Sequence, residues 1–338
     1  MPISKGHVIL FGITALVFAY LLVKQYWRAR LTIFPRLITQ RTTPRHHQIA
    51  PHLRPAYEKA LARGISEASK SKIVIVSMVR DVAKSIPNII EKVERIGKHF
   101  KDYIVFIVEN DSVDGTRDLL FRWRTTNPRV NILGCGLNVG DPPGALISGC
   151  RIPKTPKTIG HTADRPRIEK MAMLRNIYLD HLRENINPSD YPYTMIWDLD
   201  SLSVLYEDGL MHSLGVMSKD PSIAVGCANG IYNWGFFTYF YDTYAYLEKG
   251  EVYDPDNRVA HNLRHGALDS TFQRGEDPVE VDSCFSGFAI YRTGELIKSK
   301  YDLPEGKLVC EHVALHQRMK GVKKVVDPSM INLILLNE

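Results

Sequence analysis

The sequence predicts an α/β fold with a mostly parallel sheet flanked by helices. Two near-continuous apolar runs, residues 73–78 and 103–108, are typical of parallel strands that are buried on both faces. Segments with helical spacing follow both runs, and a third strand is predicted over residues 130–133. This β-α-β-α-β alternation predicts parallel strands joined by right-handed crossovers. A fourth apolar run, residues 193–197, leads directly into two aspartates, as expected for a ligand site at the carboxyl edge of such a sheet.

The amino terminus is predicted to anchor the chain in a membrane. Residues 8–23 contain no charged side chain and a single polar one, Thr14, and they approach the roughly 17–25 residues that span a bilayer. A cleaved signal peptide is the alternative, but no small-x-small cleavage site follows the apolar run. The predicted division is residues 1–27 for a short tail and anchor, 28–70 for a stem with a capping helix, and 71–338 for one globular domain.

The composition is that of a globular protein with a sizeable core. Of the 338 residues, 44% are apolar and 24% are charged, which is ordinary for a folded domain. The net charge of +6 is mild and partly local to the segment after the anchor, so it requires no nucleic acid as a partner. The five cysteines are widely spaced and contain no Cys-x-x-Cys pair. We therefore expect buried thiols, not disulfides or a zinc site.

Polar segments follow the first two predicted strands. Arg80 lies just beyond the first strand, and the acidic segment 109–116 follows the second. Carboxylates there would repel phosphate, but they could accept hydrogen bonds from a nucleobase or a ribose hydroxyl. We predict that role for Glu109 and Asp111. For Asp114 the same role stands beside an ordinary turn that begins the next helix.

The next candidates lie on a loop and a helix before the fourth strand. The sequence contains no phosphate-binding glycine motif. Residues 134–166 form a long segment rich in Gly, Pro and Thr, which predicts a lid over a ligand. The helix predicted over residues 167–179 carries Arg167 and Arg175, which could bind a diphosphate in bidentate fashion. A solvated helix face is the alternative for each arginine.

Asp198 and Asp200 are the candidate metal ligands. They come at i and i+2 directly after the fourth strand, and two hard oxygen donors at a strand end suit Mg²⁺ or Mn²⁺. An isolated Asp-x-Asp also occurs in surface turns, but the apolar run before this pair favours the metal site.

The carboxyl-terminal half adds aromatic, acidic and histidine candidates. Residues 232–246 are rich in aromatic side chains; we expect most of them in the core, with Trp234 as the first candidate for stacking on a sugar ring. Glu311 begins a predicted helix, where it either stabilises the helix dipole or acts as a base or a ligand of an acceptor hydroxyl. His312 and His316 lie at i and i+4 on one helix face, a spacing compatible with metal binding.

The order of these motifs resembles that of one enzyme group. In chain order the motifs are Arg-Asp after the first strand, Glu-Asn-Asp-Ser-x-Asp-Gly-Thr after the second, Leu-Arg-Asn in a helix, then Asp-Leu-Asp, Tyr-Asp-Thr-Tyr-Ala-Tyr, Ser-Gly-Phe-Ala-Ile-Tyr-Arg and Cys-Glu-His-x-x-Leu-His. Together they resemble the GT-A-fold glycosyltransferases, in particular the capsule-associated α-1,3-mannosyltransferases of fungi and related bacterial and viral enzymes. The likeness covers roughly residues 72–330. It implies a Rossmann-like GT-A sheet in a single catalytic domain behind the transmembrane helix.

The resemblance also implies a role for each motif residue. Asp198 and Asp200 would hold Mn²⁺ or Mg²⁺ against the donor diphosphate, and Asp200 is also assigned to catalysis. A histidine is a common additional ligand in this fold; His312 is our candidate and His316 the alternative. The remaining roles are contact with the nucleoside, assigned to Arg80, Glu109 and Asp111, and a place near the reacting sugar, assigned to Glu311.

The implied activity is metal-dependent transfer of a hexose from a nucleotide sugar to a glycan acceptor, in glycan or capsule polysaccharide synthesis. GDP-mannose is the expected donor, with a UDP-sugar as the alternative. We expect retention of configuration, with the departing phosphate taking the proton; an inverting enzyme would use Glu311 as base. A sugar nucleotidyltransferase would need a glycine-rich loop after the first strand, which Val79-Arg80-Asp81 does not provide. A non-catalytic sugar-binding protein is the remaining alternative.

The sequence leaves the membrane orientation of this single-pass protein open. Basic residues after the anchor favour a cytosol-facing catalytic domain under the positive-inside rule. A short anchor followed by a stem is typical of Golgi enzymes, so we expect a Golgi or ER membrane if the source is eukaryotic.

Overall fold

The computed structural model describes residues 48–134, 165–234, 237–254, 258–266 and 271–334, besides the isolated Ala19. Within these residues no helix is both long enough and apolar enough to cross a bilayer. The predicted anchor lies outside them, and so does most of the predicted lid.

The strands of the described residues are β1 (Lys72–Val79), β2 (Asp102–Glu109), β3 (Val130–Gly134), β4 (Tyr193–Trp197), β5 (Ser203–Leu205), β6 (Ile223–Trp234), β7 (Phe237–Phe240), β8 (Leu247–Glu248), β9 (Val279–Ser283), β10 (Phe288–Arg292) and β11 (Lys323–Ile334). They form one sheet in the order β3-β2-β1-β4-β10-β6-β11-β9-β8, while β5 pairs with β11 and β7 pairs with β6.

The half of the sheet that the sequence predicts most clearly is parallel. Strands β3, β2, β1 and β4 are parallel neighbours, and β6 is parallel to β11. Strand β10 runs antiparallel between β4 and β6, a placement that the sequence pattern does not predict. The predicted α/β class with a mostly parallel central sheet is confirmed, and the antiparallel pairings of β10, β9 and β8 make it a mixed sheet.

The helices of the described residues are α1 (Arg54–Ala68), α2 (Ile86–Gly97), α3 (Thr116–Thr126), α4 (Arg165–Asn185), α5 (Glu207–Lys219), α6 (Arg258–His265), α7 (Thr293–Leu296) and α8 (Glu311–Arg318), with short 3₁₀ turns at Ala83–Ser85 and Thr243–Ala245.

Helices cover both faces of the sheet because its central strands are apolar on both faces. Val74 and Val76 of β1 pack in one core with side chains of α4 and α8. Ile73 and Ile75 pack in a second core with side chains of α2, α3 and α5. Successive side chains of a strand point to opposite faces, so the uninterrupted apolar run of β1 supplies two cores. This arrangement places α4 and α8 on the same side of the sheet.

The predicted stem contains a helix that packs tightly on the globular body. Helix α1 crosses α5 at two glycines: a Cβ on Gly64 would lie 1.6 Å from the Met211 carbonyl oxygen, and one on Gly215 would lie 1.9 Å from that of Ala60. Such distances are far inside van der Waals contact, so the crossing depends on glycine at both positions. The helix therefore belongs to the same folded unit as α5.

The prediction that the cysteines are unpaired thiols is wrong for one pair. Cys227 of β6 and Cys284 after β9 form a disulfide with their Cα atoms 5.9 Å apart, well within the usual range. The order of strands in the sheet brings them together across a sequence separation of 57, which spacing rules do not detect. Cys310 is a buried free thiol, as predicted, and Cys135 and Cys150 lie outside the described residues.

Candidate active site

The carboxyl end of β4 presents the two predicted metal ligands, Asp198 and Asp200. The Asp198 amide donates to the Gly287 carbonyl oxygen at 2.9 Å, and the Leu199 amide donates to Ser77 Oγ at 3.3 Å. Gly287 has φ +75°, a left-handed conformation that glycine adopts without a Cβ penalty. The turn before β10 therefore holds the backbone of the aspartate pair on one side, and β1 holds it on the other.

Arg175 of α4 is a buried cation against these carboxylates. Its Nη2 lies 3.2 Å from Asp198 Oδ1, and its Nε lies 3.1 Å from Glu311 Oε1. The guanidinium also lies over the Phe285 ring, 5.1 Å from the ring centroid, and the side chain is only 3% exposed. Arg175 is thus a counter-ion inside the site and not part of a solvated helix face. Because a buried charge without a partner is costly, the cation and the carboxylates hold each other in place.

Asp242 adds a further carboxylate to the site. It follows β7 with φ +66°, and its Oδ2 accepts a hydrogen bond from the Ser286 amide at 3.3 Å. Burial, together with the negative charges of Glu311 and Asp198, raises the pKa of Asp242 to about 8. The site therefore contains Asp198, Asp200, Asp242 and Glu311 within electrostatic reach of one another.

Negative charge is in excess at the aspartate pair. Asp200 is exposed at the mouth of the site, yet the protein around it and the charge of Asp198 raise its pKa to about 7. Burial also raises the pKa of Asp198, against the opposing charges of Arg175 and Arg167. In such a crowded group the ionised carboxylates are disfavoured because they repel one another. A bound divalent cation would stabilise the ionised forms.

The two histidines of α8 differ in their hydrogen bonding. His316 Nδ1 lies 3.1 Å from Ser283 Oγ and its Nε2 lies 3.0 Å from the Tyr291 hydroxyl, so both nitrogens are engaged. His312 stacks on Phe285 with ring centroids 3.7 Å apart, and neither of its nitrogens has a hydrogen-bond partner among the described residues. Burial lowers the pKa of His312 well below its usual value, so the ring is neutral. Of the two histidines, His312 is therefore the one whose ring nitrogen has a lone pair that accepts no hydrogen bond from the described residues.

The loops after β1 and β2 are tied together by hydrogen bonds. Asp81 Oδ1 accepts a bond from the Val113 amide at 2.8 Å, and the Asp81 amide donates to Ser112 Oγ at 3.0 Å. Asp114 Oδ2 accepts a bond from the Ala83 amide at 3.0 Å. Asp114 thus takes part in the turn chemistry that was one of its two interpretations, while its contact with a donor stays a prediction.

Glu109 is buried and bonded within the protein. Arg117 donates to Glu109 Oε2 from Nε at 2.9 Å and from Nη2 at 2.6 Å, and the Ser112 amide donates to Oε1 at 2.6 Å. Asp111 is more open, with a side chain 22% exposed and 3.9 Å from Arg117. The structure therefore engages both oxygens of Glu109 internally and leaves Asp111 as the more accessible carboxylate of this loop.

Arg80 and Asn110 end the two neighbouring strands beside this loop network. Arg80 Nε lies 3.5 Å from the Asp81 carboxylate. In the part of the chain that the structure describes, Arg80 Nε and Asn110 Oδ1 are buried without hydrogen-bond partners. Because β1 lies between β2 and β4 in the sheet, this group adjoins the aspartate pair. Buried polar atoms without hydrogen-bond partners at the carboxyl ends of strands are expected where a bound ligand supplies the missing hydrogen bonds.

Sequence reasoning missed Asp242 and its neighbour Tyr241. Burial and the negative charges of Asp242, Asp198 and Asp200 raise the pKa of Tyr241, so this side chain lies within electrostatic reach of the carboxylates. A usable signal existed, since Tyr241-Asp242 ends an aromatic run in the same way that Asp198 ends β4. The side chain of Trp234 lies outside the described part of the chain, so its stacking role stays a prediction.

Several solved glycosyltransferases are similar to this chain at low sequence identity. The mannosyltransferase PcManGT of Pyrobaculum calidifontis, in complex with GDP-Man and Mn²⁺, is 14% identical with a TM-score of 0.43, over 83% of this chain and 66% of that one. S. aureus TarS is 12% identical with a TM-score of 0.43, over 78% of this chain and 37% of its own. TarS 1–349 in complex with UDP-GlcNAc is 12% identical with a TM-score of 0.42, over 79% and 59%. The chain thus spans less than two thirds of the length of each of these proteins.

Family membership rests on the sequence itself. No match was found among curated proteins. Residues 72–317, in contrast, match the family described as cryptococcal mannosyltransferase 1. The match covers well over half of the 338 residues and includes every site residue described above, which confirms the resemblance drawn from the motifs. The chain therefore belongs to the cryptococcal mannosyltransferase 1 family, a family of glycosyltransferases.

Proposed function

We propose that this protein moves a hexose, mannose in the first instance, from a nucleoside diphosphate sugar to a glycan hydroxyl with a divalent cation as cofactor. The observation that carries the proposal is the gathering of Asp198, Asp200, Asp242 and Glu311 around the buried Arg175. Membership of a mannosyltransferase family supports the choice of sugar. The excess of negative charge supports a bound cation, which in turn would offset the charge of a diphosphate.

Asp198, Asp200 and His312 are the proposed ligands of Mn²⁺ or Mg²⁺. The two aspartates offer hard oxygen donors, and His312 offers an unpaired ring nitrogen in a neutral ring. By donor type these residues suit a divalent cation, but among the described residues their ligand atoms do not all lie within 4.8 Å of one another, so coordination by all three would require the side chains to move closer to one another. When bound, the ion would neutralise charge that develops on the departing nucleoside diphosphate.

The loops after β1 and β2 are the proposed nucleoside site. Two side chains are best placed to meet a base or a ribose. They are Arg80, whose Nε has no hydrogen-bond partner among the described residues, and the partly exposed Asp111. Glu109 and Asp114 support the same site indirectly, because their internal hydrogen bonds hold the two loops in one conformation. In this proposal the donor therefore binds at the carboxyl ends of the adjacent parallel strands β1 and β2.

The position of Glu311 supports retention as the proposed stereochemical course. Its side chain is 7% exposed and is paired with Arg175, whereas a general base must reach the acceptor hydroxyl. We therefore favour retention, with the departing phosphate taking the proton and Glu311 facing the positive charge that develops on the sugar. Arg167, whose charge acts on Asp198, is the proposed diphosphate partner beside Arg175. Inversion with Glu311 as base is the alternative.

Donor hydrolysis and transfer assays test the proposal. The protein is incubated with GDP-mannose, UDP-sugars or dTDP-sugars, with Mn²⁺, with Mg²⁺ or with EDTA, and the released nucleotide is measured by chromatography. We expect GDP release from GDP-mannose only when a divalent cation is present. Preference for a UDP-sugar would correct the donor and leave glycosyl transfer in place. No hydrolysis and no calorimetric heat with any donor and Mn²⁺ would refute the proposal.

The metal site has a pH signature. Asp200 has a pKa of about 7, so at pH 6 an incoming cation must displace a proton that is already absent at pH 8. The affinity for Mn²⁺ is therefore expected to rise by up to about tenfold between these two values. Titration calorimetry in buffers of different ionisation enthalpy counts the released proton. An affinity that does not change with pH would contradict Asp200 as a ligand.

We also propose that residues 8–23 anchor the protein in a Golgi or ER membrane, if the source is eukaryotic, with the domain facing the lumen. The Cys227–Cys284 disulfide supports this orientation over a cytosol-facing one, because disulfides persist in oxidising compartments.

The Cys227–Cys284 disulfide closes a loop with a sequence separation of 57, which stabilises the folded protein by about 4 kcal/mol in the chain-entropy model. Replacing both cysteines with serine should lower the free energy of unfolding by about that amount, measured by urea titration. Equal stability of the parent with and without reductant would contradict it.

A further inference from the structure

A second group of candidate ligands lies beside the acidic site, on α6 and the segment after β8. Glu251 Oε1, His261 Nδ1 and His265 Nε2 all lie within 4.8 Å of one another. Glu251 Oε1 is 3.2 Å from His261 Nδ1 and 3.1 Å from His265 Nε2. In a tetrahedral zinc site with bonds of about 2.0–2.2 Å, neighbouring ligand atoms are about 3.3 Å apart. The two distances from the Glu251 oxygen match such a site, and the two ring nitrogens lie within 4.8 Å of each other.

The outer nitrogen of each ring faces an acceptor. His261 Nε2 lies 2.8 Å from the Thr243 carbonyl oxygen, and His265 Nδ1 lies 3.7 Å from Glu248 Oε1. A carbonyl oxygen can only accept, so His261 Nε2 carries a proton, and in the neutral ring the Nδ1 lone pair then points at the Glu251 carboxylate. Two lone pairs in that position repel each other unless a metal ion or a second ring proton lies between them, and the metal alternative is the one that the zinc measurement below tests. Metal-bound histidines have this same arrangement, with the other nitrogen donating to a carbonyl or carboxylate.

Burial provides a second, independent observation. The His265 side chain is 0% exposed and that of His261 is 7% exposed. Glu251 is fixed from its other oxygen, because Oε2 accepts a hydrogen bond from the Glu248 amide at 2.9 Å. The three side chains are therefore pre-oriented around one point in a buried position.

We propose that Glu251, His261 and His265 bind one Zn²⁺ ion in a site separate from the acidic cluster, with the fourth position of the ion left to a water molecule. Two imidazoles with a single carboxylate suit zinc better than Mg²⁺ or Mn²⁺, which prefer all-oxygen ligand sets. Thr243, which accepts the outer hydrogen bond, follows Asp242 directly in the sequence. The ion therefore joins α6 to the turn that presents Asp242 to the acidic cluster.

Zinc content tests this site without any assay of sugar transfer. Untagged full-length protein is stripped with EDTA and equilibrated with Zn²⁺ in excess Mg²⁺, and bound zinc is measured by elemental analysis. We expect one zinc per chain in the parent and none in His265→Ala. Glu251→Gln keeps the shape of the side chain and should bind zinc at least tenfold more weakly. Cobalt in place of zinc should give visible absorption bands in the parent that both variants lose.

Two control variants separate this site from its neighbours. His181→Ala removes a partly exposed histidine of α4 that bonds to Asn185, and it should bind one zinc. Asp200→Asn weakens the acidic site and should also bind one zinc, whatever its activity. Circular dichroism confirms that each variant is folded, and Glu251→Gln decides the question if His265→Ala is not. A parent without zinc, full zinc in Glu251→Gln, or zinc lost only from Asp200→Asn would overturn the proposal.

Discussion

Asp200→Asn is expected to lower the rate of sugar transfer by about 1,000-fold, which corresponds to about 4 kcal/mol of transition-state stabilisation. Asparagine has nearly the same shape but no charge, so one of the two proposed carboxylate ligands is lost. The departing diphosphate then forms without the full neutralising charge that the site is proposed to hold. Measuring kcat and KM for GDP-mannose across a range of Mn²⁺ concentrations checks this expectation and separates weaker metal binding from slower chemistry.

The same variant is expected to be at least as stable as the parent. The pKa of Asp200 is raised to about 7, which means that the folded protein disfavours its ionised form. Removing that charge relieves repulsion, so activity and stability should change in opposite directions. Asp190→Asn is the matched control, because Asp190 is exposed and its carboxylate accepts a bond from Asn187. Transfer at the parental rate in Asp200→Asn would remove Asp200 from the mechanism.

The parallel half of the fold follows from local sequence, whereas the antiparallel half does not. A strand buried on both faces must be apolar at every position, and that pattern identifies β1, β2 and β4 directly. The same pattern holds for β10, but its four-residue apolar run before Arg292 contains no signal for the direction of the neighbouring strands. The disulfide between Cys227 and Cys284 was missed for the same reason, since it depends on the order of the strands.

For the site, the sequence predicts the residues better than their partners. The rule that ligands bind at the carboxyl ends of parallel strands is enough to find Asp198 and Asp200. The contact of Arg175 with Glu311 joins residues 136 positions apart and arises because α4 and α8 pack on one face of the sheet. Glu109 shows the opposite case, a carboxylate of the right type in the right loop whose oxygens are bonded to the protein. Strand-end position alone does not distinguish these outcomes.

Arg175→Met is expected to lower the free energy of unfolding by about 3–5 kcal/mol at pH 8, because Asp198 and Glu311 lose a buried counter-ion. The loss should be smaller at pH 5. Carboxyl groups with raised folded-state pKa values, such as Asp200 at about 7 and Asp242 at about 8, hold protons that the unfolded chain has released. Their stabilising contribution is complete below about pH 4 and disappears as the pH rises through those values. Without the guanidinium of Arg175 the pKa values of these carboxyl groups rise further. The loss of unfolding free energy in Arg175→Met therefore grows as the pH rises.

Urea titrations at both pH values measure this effect, and the chain supplies its own control. Arg183→Met removes another arginine of α4, one that is 40% exposed, pairs with Asp180 and donates to the Ile297 and Ser299 carbonyl oxygens, so its cost should be about 1–2 kcal/mol and independent of the site carboxylates. Combining Arg175→Met with Glu311→Gln removes one unpaired charge and should restore part of the lost stability, which a double-mutant cycle expresses as a coupling energy. Equal unfolding midpoints for Arg175→Met and the parent at pH 8 would mean that Arg175 does not balance the carboxylates. The cluster would then need another source of positive charge, either Arg167, whose charge acts on Asp198, or a bound divalent cation.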